Sequence, residues 1–153
     1  MLRTGTHFSY DAPDGWSEFR DGGQHVYQGP GPGLQELIIQ SHVPTGGGSH
    51  EERSNLLAQL ATNALEGLES ALESAPFRVL RPLSPDSSLD VQPAWSVVAV
   101  AEEDGTLFCG AVLRGTAAVL LLTFEASSAE SLPHFRRVVT SVRHATGGSD
   151  VGA

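Results

Sequence analysis

The sequence predicts an α+β fold. A central antiparallel sheet of six to seven strands is joined by one long helix at about residues 50–74 and a C-terminal helix at about 129–144. Three observations carry this reading. Two stretches open on capping signals and continue with apolar residues at helical spacing. Asp104-Gly105 sits between apolar runs at 95–101 and 106–113 and marks a hairpin. The runs "WSVVAVA" and "AAVLLLTF" do not alternate, as an antiparallel strand with one wet face should. Two helices flanking such a sheet make a layered sandwich, unless one face is left partly bare for a partner.

The chain opens with short strands at 6–10 and 16–20 on either side of "APDGW", where Pro13 presets φ and Gly15 tolerates positive φ. "QHVYQ" at 24–28 makes another strand, "GPGPG" at 29–33 interrupts, and 34–43 is strongly strand-like. After the "PTGGGSH" link, Ser49 with Glu52 forms a capping box, and Glu51 and Glu52 suit the positive end of the helix dipole. Leu57, Leu60, Ala61, Ala64, Leu65, Leu68 and Leu72 share one side of this helix, and Pro76 stops it. A truncation at Leu65 is therefore expected to cost ~2–5 kcal/mol.

"FRVLRPL" at 77–83 and the polar loop "SPDSSLD" lead into an antiparallel meander, with Arg114-Gly115-Thr116 as its second turn. Ser127 with Glu130 offers another capping box, and Pro133 fits a first helical turn. Phe135, Val138, Val139 and Val142 line the face of the last helix to about residue 144. One domain is expected over 1–145, with a flexible tail at 146–153.

A chain of 153 residues can bury roughly 70% of its unfolded surface, and 40% apolar with 18% charged residues is a globular composition. The net charge is −9, and all nine basic residues are arginine. With no lysine there is no Schiff base or lysine nucleophile. The scattered arginines make nucleic acid and anionic membrane poor partners. The single cysteine, Cys109, cannot form an internal disulfide. The N-terminus has no apolar signal region and no apolar run approaches a membrane span, so a cytoplasmic protein without membrane insertion is expected.

No motif dictates a reaction. None of the six histidines forms an i, i+4 pair, and His50-Glu51-Glu52, the nearest approach to a metal cluster, reads as a helix start that attracts acids. In "GPGPG", Pro30 and Pro32 each remove a backbone donor and a strand follows, so no phosphate is cradled. "GGSHE" and "GGSDV" miss the nucleophile elbow. Cys109 lies mid-strand among apolar neighbours, where burial keeps a thiol inert. Glu102-Glu103-Asp104 sits at a hairpin tip, Asp11 and Asp14 are turn formers, and Trp95 opens an apolar strand as a core residue. No catalytic, cofactor-binding or metal-binding residue is assigned, no cofactor is expected, and a non-enzymatic binding protein is favoured over an enzyme.

Two segments taken together carry a likeness. One is "THFSYDAPDGWSE", a strand, a Pro-x-Gly-Trp turn and a second strand. The other is "LLLTFEASSAESLPHFRRVVTSVR", an apolar strand ending in Thr-Phe-Glu-Ala, a capped turn, and Phe135 followed by Val138-Val139 and Ser141-Val142. With a long helix and a meander between them, residues 6–143 resemble the PsbP-like superfamily, most nearly its DcrB-like branch and the Eag-type chaperones of type VI secretion effectors. The resemblance implies an α/β/α sandwich and a protein that binds other proteins without catalysis. It points to an adaptor or chaperone that shelters apolar helices of a secreted effector, as a possible homodimer. Acidity opens a different class, an immunity or inhibitor protein covering a basic toxin; a small-ligand-binding protein is a third. The unalternating strands imply an apolar surface on the sheet for a second copy or for effector helices, whereas Trp16 is expected to pack inside the fold.

Overall fold

The computed structural model describes residues 2–46, 48–73, 77–81 and 93–145. The strands before the long helix are β1 (Leu2–Thr4), β2 (Phe8–Asp11), β3 (Ser17–Asp21), β4 (Gln24–Gln28) and β5 (Gln35–His42). Helix α1 (His50–Glu73) follows, then β6 (Phe77–Arg81), β7 (Pro93–Ala101), β8 (Leu107–Arg114) and β9 (Val119–Ala126). A 3-10 turn at Ala129–Ser131 leads into α2 (Leu132–Ser141), and β10 (Arg143–His144) ends the described chain.

Seven strands form one sheet in the order β3-β4-β5-β9-β8-β7-β6, every pairing antiparallel. The expected α+β architecture is the observed one. An addition to it is a second sheet of three strands, β1-β2-β10. The "APDGW" turn is accordingly a corner between sheets: β2 belongs to the small sheet and β3 to the edge of the large one. Two short strands here, Leu2–Thr4 and Arg143–His144, lack any alternating pattern long enough to announce them.

Of the two unalternating runs, β7 buries Ser96 to Ala99 in succession, whereas in β9 Leu121, Thr123 and Glu125 alternate outward. The longest buried run is that of β8. Every residue of β8 from Leu107 to Leu113 is buried, because its two faces pack against different layers. Phe108 and Val112 join Leu57, Leu68, Val97 and Val119 under α1. Leu107, Cys109, Ala111 and Leu113 join Phe124, Phe135, Val138 and the small sheet's Phe8 and Tyr10 on the opposite face. Gly110 sits where α1 crosses: a Cβ there would lie 2.9 Å from Leu68 Cδ2, closer than van der Waals contact allows. Arg114, at the end of β8, donates to the carbonyl and hydroxyl oxygens of Ser54 at 3.1 Å each and ties the start of α1 to the sheet.

Local signals fare unevenly. At α1 the Glu52 N–H donates to Ser49 Oγ at 3.1 Å, and the Glu52 carboxylate accepts from Gly48 N–H at 3.3 Å, a capping box shifted by one donor. Before the second helix Ser128 caps the 3-10 turn, its hydroxyl accepting from Glu130 N–H at 3.2 Å. Helix α2 itself starts after Ser131 with no side-chain capping bond and with Pro133 in its first turn. Ser127 instead donates its N–H to Leu34 O at 2.8 Å, so the expected Ser127 cap is replaced by its neighbour. The last helix ends at Ser141, short of 144, because Val142 turns extended and Arg143–His144 pairs with β2. Gly105 takes a φ of +78° in the β7–β8 loop, while Asp104 Oδ1 accepts from Thr106 N–H at 3.0 Å and its carboxyl is held below the usual range by that bond. The loop "SPDSSLD", Pro76, the Trp95 side chain and the 146–153 tail lie outside the described residues.

The α1 stripe divides. Leu57 and Leu68 are buried, Leu60, Ala61, Ala64 and Leu72 pack beside them, and Leu65 is half-buried outside both clusters. The expected cost at Leu65 therefore moves to the buried positions. Leu68→Ala should lower unfolding free energy by ~2–5 kcal/mol in a denaturant melt, and Leu65→Ala by less than about 1 kcal/mol. A larger loss at Leu65 than at Leu68 would mean that α1 is rotated on the sheet.

Burial also pushes the Cys109 thiol up to about 12, with Arg136 opposing it weakly. At pH 8 the native protein should resist a thiol-labelling reagent that modifies it promptly in denaturant. Fast labelling of the folded chain would show that β8 is accessible.

Candidate functional site

Among the described residues one concavity lies on each face of the large sheet, beside α1 and beneath the small sheet, and a third lies at the β3–β4 turn. The residues of the first two follow from register. Phe19, Val26 and Ile38 are partnered across β3, β4 and β5 and point to the α1 side. Glu18 with Tyr27, Arg20 with His25, and His25 with Ile39 point to the small-sheet side.

On the α1 side, a groove of about 580 Å³ runs between α1 and strands β5 and β9. Leu60, Ala64, Gly67 and Ala71 of α1 form one wall, Leu68, Phe108 and Leu121 the floor, and Gln40, His42, Thr123 and Glu125 the polar margin. A side chain at Gly67 would meet nothing within 4 Å, so the groove is open along the helix. Seven strands at ~4.8 Å spacing span roughly 29 Å, whereas one helix is ~10 Å across. Helix α1 contacts β8 and β9. Among the described residues nothing packs over the same face of β3: all five of its residues are exposed, Phe19 to 44%.

On the other face a cleft of about 480 Å³ lies between the small sheet and β3-β4-β5. Arg3 Nε donates to Glu18 Oε2 at 2.7 Å across its mouth. Deeper in, the hydroxyls of Tyr10 and Tyr27 share a 2.6 Å hydrogen bond, their rings edge to face at 6.2 Å. Burial raises both hydroxyls above their ordinary range, so they stay protonated and serve neither as bases nor as nucleophiles near neutral pH. His25 is shifted down, first by burial and then by the positive Arg20 opposite it; Arg3 adds to this and Glu18 opposes it. Its Nδ1 is buried with no hydrogen-bond partner.

The residues weighed from the sequence are dispersed. Among the described residues no group of three or more His, Cys, Asp or Glu is placed to hold a metal ion, and His50 lies exposed at the start of α1. Asp11 and Asp14 are exposed at the corner; the Asp11 N–H donates to Ser141 Oγ at 2.9 Å. Trp16 packs against Phe124 at 6.1 Å and His134 at 5.3 Å, as a structural residue. No described helix is long and apolar enough to cross a membrane. The sequence reading missed the gathering of Arg3, Glu18, Arg20, His25 and the two tyrosines. Half the signal was present: alternation in "SEFRD" puts Glu18 and Arg20 on one face, and alternation in "QHVYQ" does the same for His25 and Tyr27.

The His25 environment has a direct consequence. Its imidazole should titrate by NMR below the ordinary ~6.5, and Arg20→Gln should move that titration upward by removing the adjacent charge. Because the folded state disfavours the cation, the His25 contribution to stability is present above the unfolded value and lost as pH falls through the folded one. A titration at or above the ordinary value would contradict this geometry.

The chain matches no protein-family model and no curated protein in sequence. Solved structures do resemble it. A protein from Bacteroides thetaiotaomicron VPI-5482 is similar over 92% of this chain and 46% of its own, with a TM-score of 0.55 and 15% identity. LpqN of Mycobacterium tuberculosis, described as involved in cell envelope biogenesis, is similar over 90% of this chain and 83% of its own, with a TM-score of 0.47 and 12% identity. This chain spans less than half of the Bacteroides protein, and the likeness is one of fold.

Proposed function

We propose that the chain is a non-enzymatic protein-binding module that receives an apolar helix of another protein beside α1, across β5, β4 and β3. The observation that carries this reading is the half-roofed sheet. Among the described residues a single helix covers β8 and β9, while the wing next to it offers the exposed Phe19 and the half-buried Ile38, Leu121 and Thr123 on either side of the buried Val26. The remaining width suits one more helix, and Ala64, Gly67 and Ala71 let that helix approach α1 closely. The resemblance to effector chaperones then makes the partner a secreted effector, held by its apolar helices before export, with the chain as adaptor in the cytoplasm. A second copy of this chain is the other occupant the groove could take.

Gly67→Phe fills the groove from an exposed helix position and Ile38→Glu charges its far side. Both variants should keep their circular dichroism and lose the partner. The experiment is capture from the native host with a photo-crosslinker at position 19, paired with sedimentation velocity at micromolar concentration. Crosslinks to an amphipathic helical segment, abolished by Gly67→Phe, support the reading. Dimers dispersed by Gly67→Phe place a second copy in the groove instead. A partner that Gly67→Phe leaves bound, but salt releases, supports the inhibitor reading, which the net charge of −9 favours.

A further inference from the structure

We propose that the cleft between the small sheet and the β3-β4-β5 wing binds a small organic monocarboxylate, its charge held by Arg20 and His25 and its apolar body laid on Phe8, Ile39 and Leu120. The volume, about 480 Å³, falls within the roughly 300–1,000 Å³ of small-molecule sites. Two guanidinium groups line it against one carboxylate, an inversion of the local sign in a chain of net charge −9. Glu18 is committed to Arg3 at 2.7 Å. Arg20 stands across the strand pair from His25 and makes no hydrogen bond or ion pair among the described residues.

The cleft therefore holds an unspent fork of guanidinium donors next to a buried imidazole nitrogen that lacks a partner. Buried polar atoms without partners are rare in folded proteins, and a ligand oxygen resolves this one. A carboxylate fits the planar fork bidentately. Glu18 at the same mouth repels a second negative charge, which selects a monoanion over a phosphate dianion. Below the charged mouth Phe8, Ile39 and Leu120 supply a buried apolar side next to the Tyr10 hydroxyl, which is already bonded to Tyr27, and Val43 stands on the rim. Charge at one end and hydrocarbon at the other define the ligand as an amphipathic acid.

Octanoate is the probe, titrated into the full chain by calorimetry and by amide NMR, with octanol and acetate supplying the body and the charge separately. Octanoate should saturate one site and shift Gly5, Arg20 and His25, and the two half-ligands should bind at least about tenfold more weakly. Arg20→Gln, at an exposed strand position, should keep the fold and weaken octanoate about tenfold or more. Val43→Asp on the rim should weaken it too, by charge repulsion. The proposal is overturned by an absence of saturable binding at millimolar octanoate, by equal affinity for octanol, by unchanged affinity in Arg20→Gln, or by tighter binding of inorganic phosphate. The α1 groove lies on the opposite face, so these outcomes are independent of those for the protein partner.

Discussion

Strand β8 buries seven successive residues, and the sheet around it needs cover on both faces. The chain meets that requirement unequally. One face receives α2 and a three-stranded sheet, which between them reach from β8 to β4. The other receives α1, a rod about one-third the width of the sheet. The groove beside α1 exists because no second described helix lies there, and the cleft lies between the small sheet and the β3-β4-β5 wing of the large one. Packing thus leaves a groove beside a helix on one face and a cleft between two sheets on the other.

The two concavities differ in chemistry for reasons that start in the strands. On the α1 side, Phe19, Val26, Ile38 and Thr123 stand in register across four strands, a band that runs from the exposed Phe19 past the buried Val26 and has acids and glutamines at its margins. Such a band offers area without direction, the property a helix-binding surface needs. On the opposite side the same strands place Glu18, Arg20, His25 and Tyr27, and Arg3 comes from β1 to pair with Glu18. Directional groups in a confined space select a small ligand by its charge. One wing of the sheet carries both surfaces because successive residues of a strand point to opposite faces.

Gly110 and Trp16 show how closely the layers are fitted. The contact between Gly110 and Leu68 sets the height of α1 over the sheet, and a larger residue at 110 would lift the helix. Trp16 holds the corner between the sheets by resting on Phe124, which in turn stacks on Phe135 of α2 at 6.1 Å. Two of the three aromatic residues of "FSYDAPDGW" are thereby divided between different parts of the fold. Tyr10 goes to the base of the cleft and Trp16 to the hinge of the fold.

By itself the sequence determined the secondary elements that depend on neighbouring residues: α1 through its Ser49–Glu52 cap, the β7–β8 hairpin through Asp104-Gly105, and β4 and β5 through runs of strand-forming residues. Its continuous apolar runs left two outcomes, cover on both faces or one face partly bare. Packing decided between them, burying β8 on both faces and leaving Leu121 and Thr123 of β9 half-buried and Glu125 exposed. Tertiary structure decided the rest. The strands Leu2–Thr4 and Arg143–His144 exist because β2 supplies partners on both its edges, and no local pattern of three or two residues could specify them. The cap at Ser128 was decided by where the chain leaves β9: Ser127 N–H still bonds Leu34 O, so the 3-10 turn starts one residue later. The cluster of Arg3, Glu18, Arg20 and His25 joins residues up to 22 positions apart. Alternation assigns each to a face, but strand order alone brings those faces together, and strand order is a property of the packed layers.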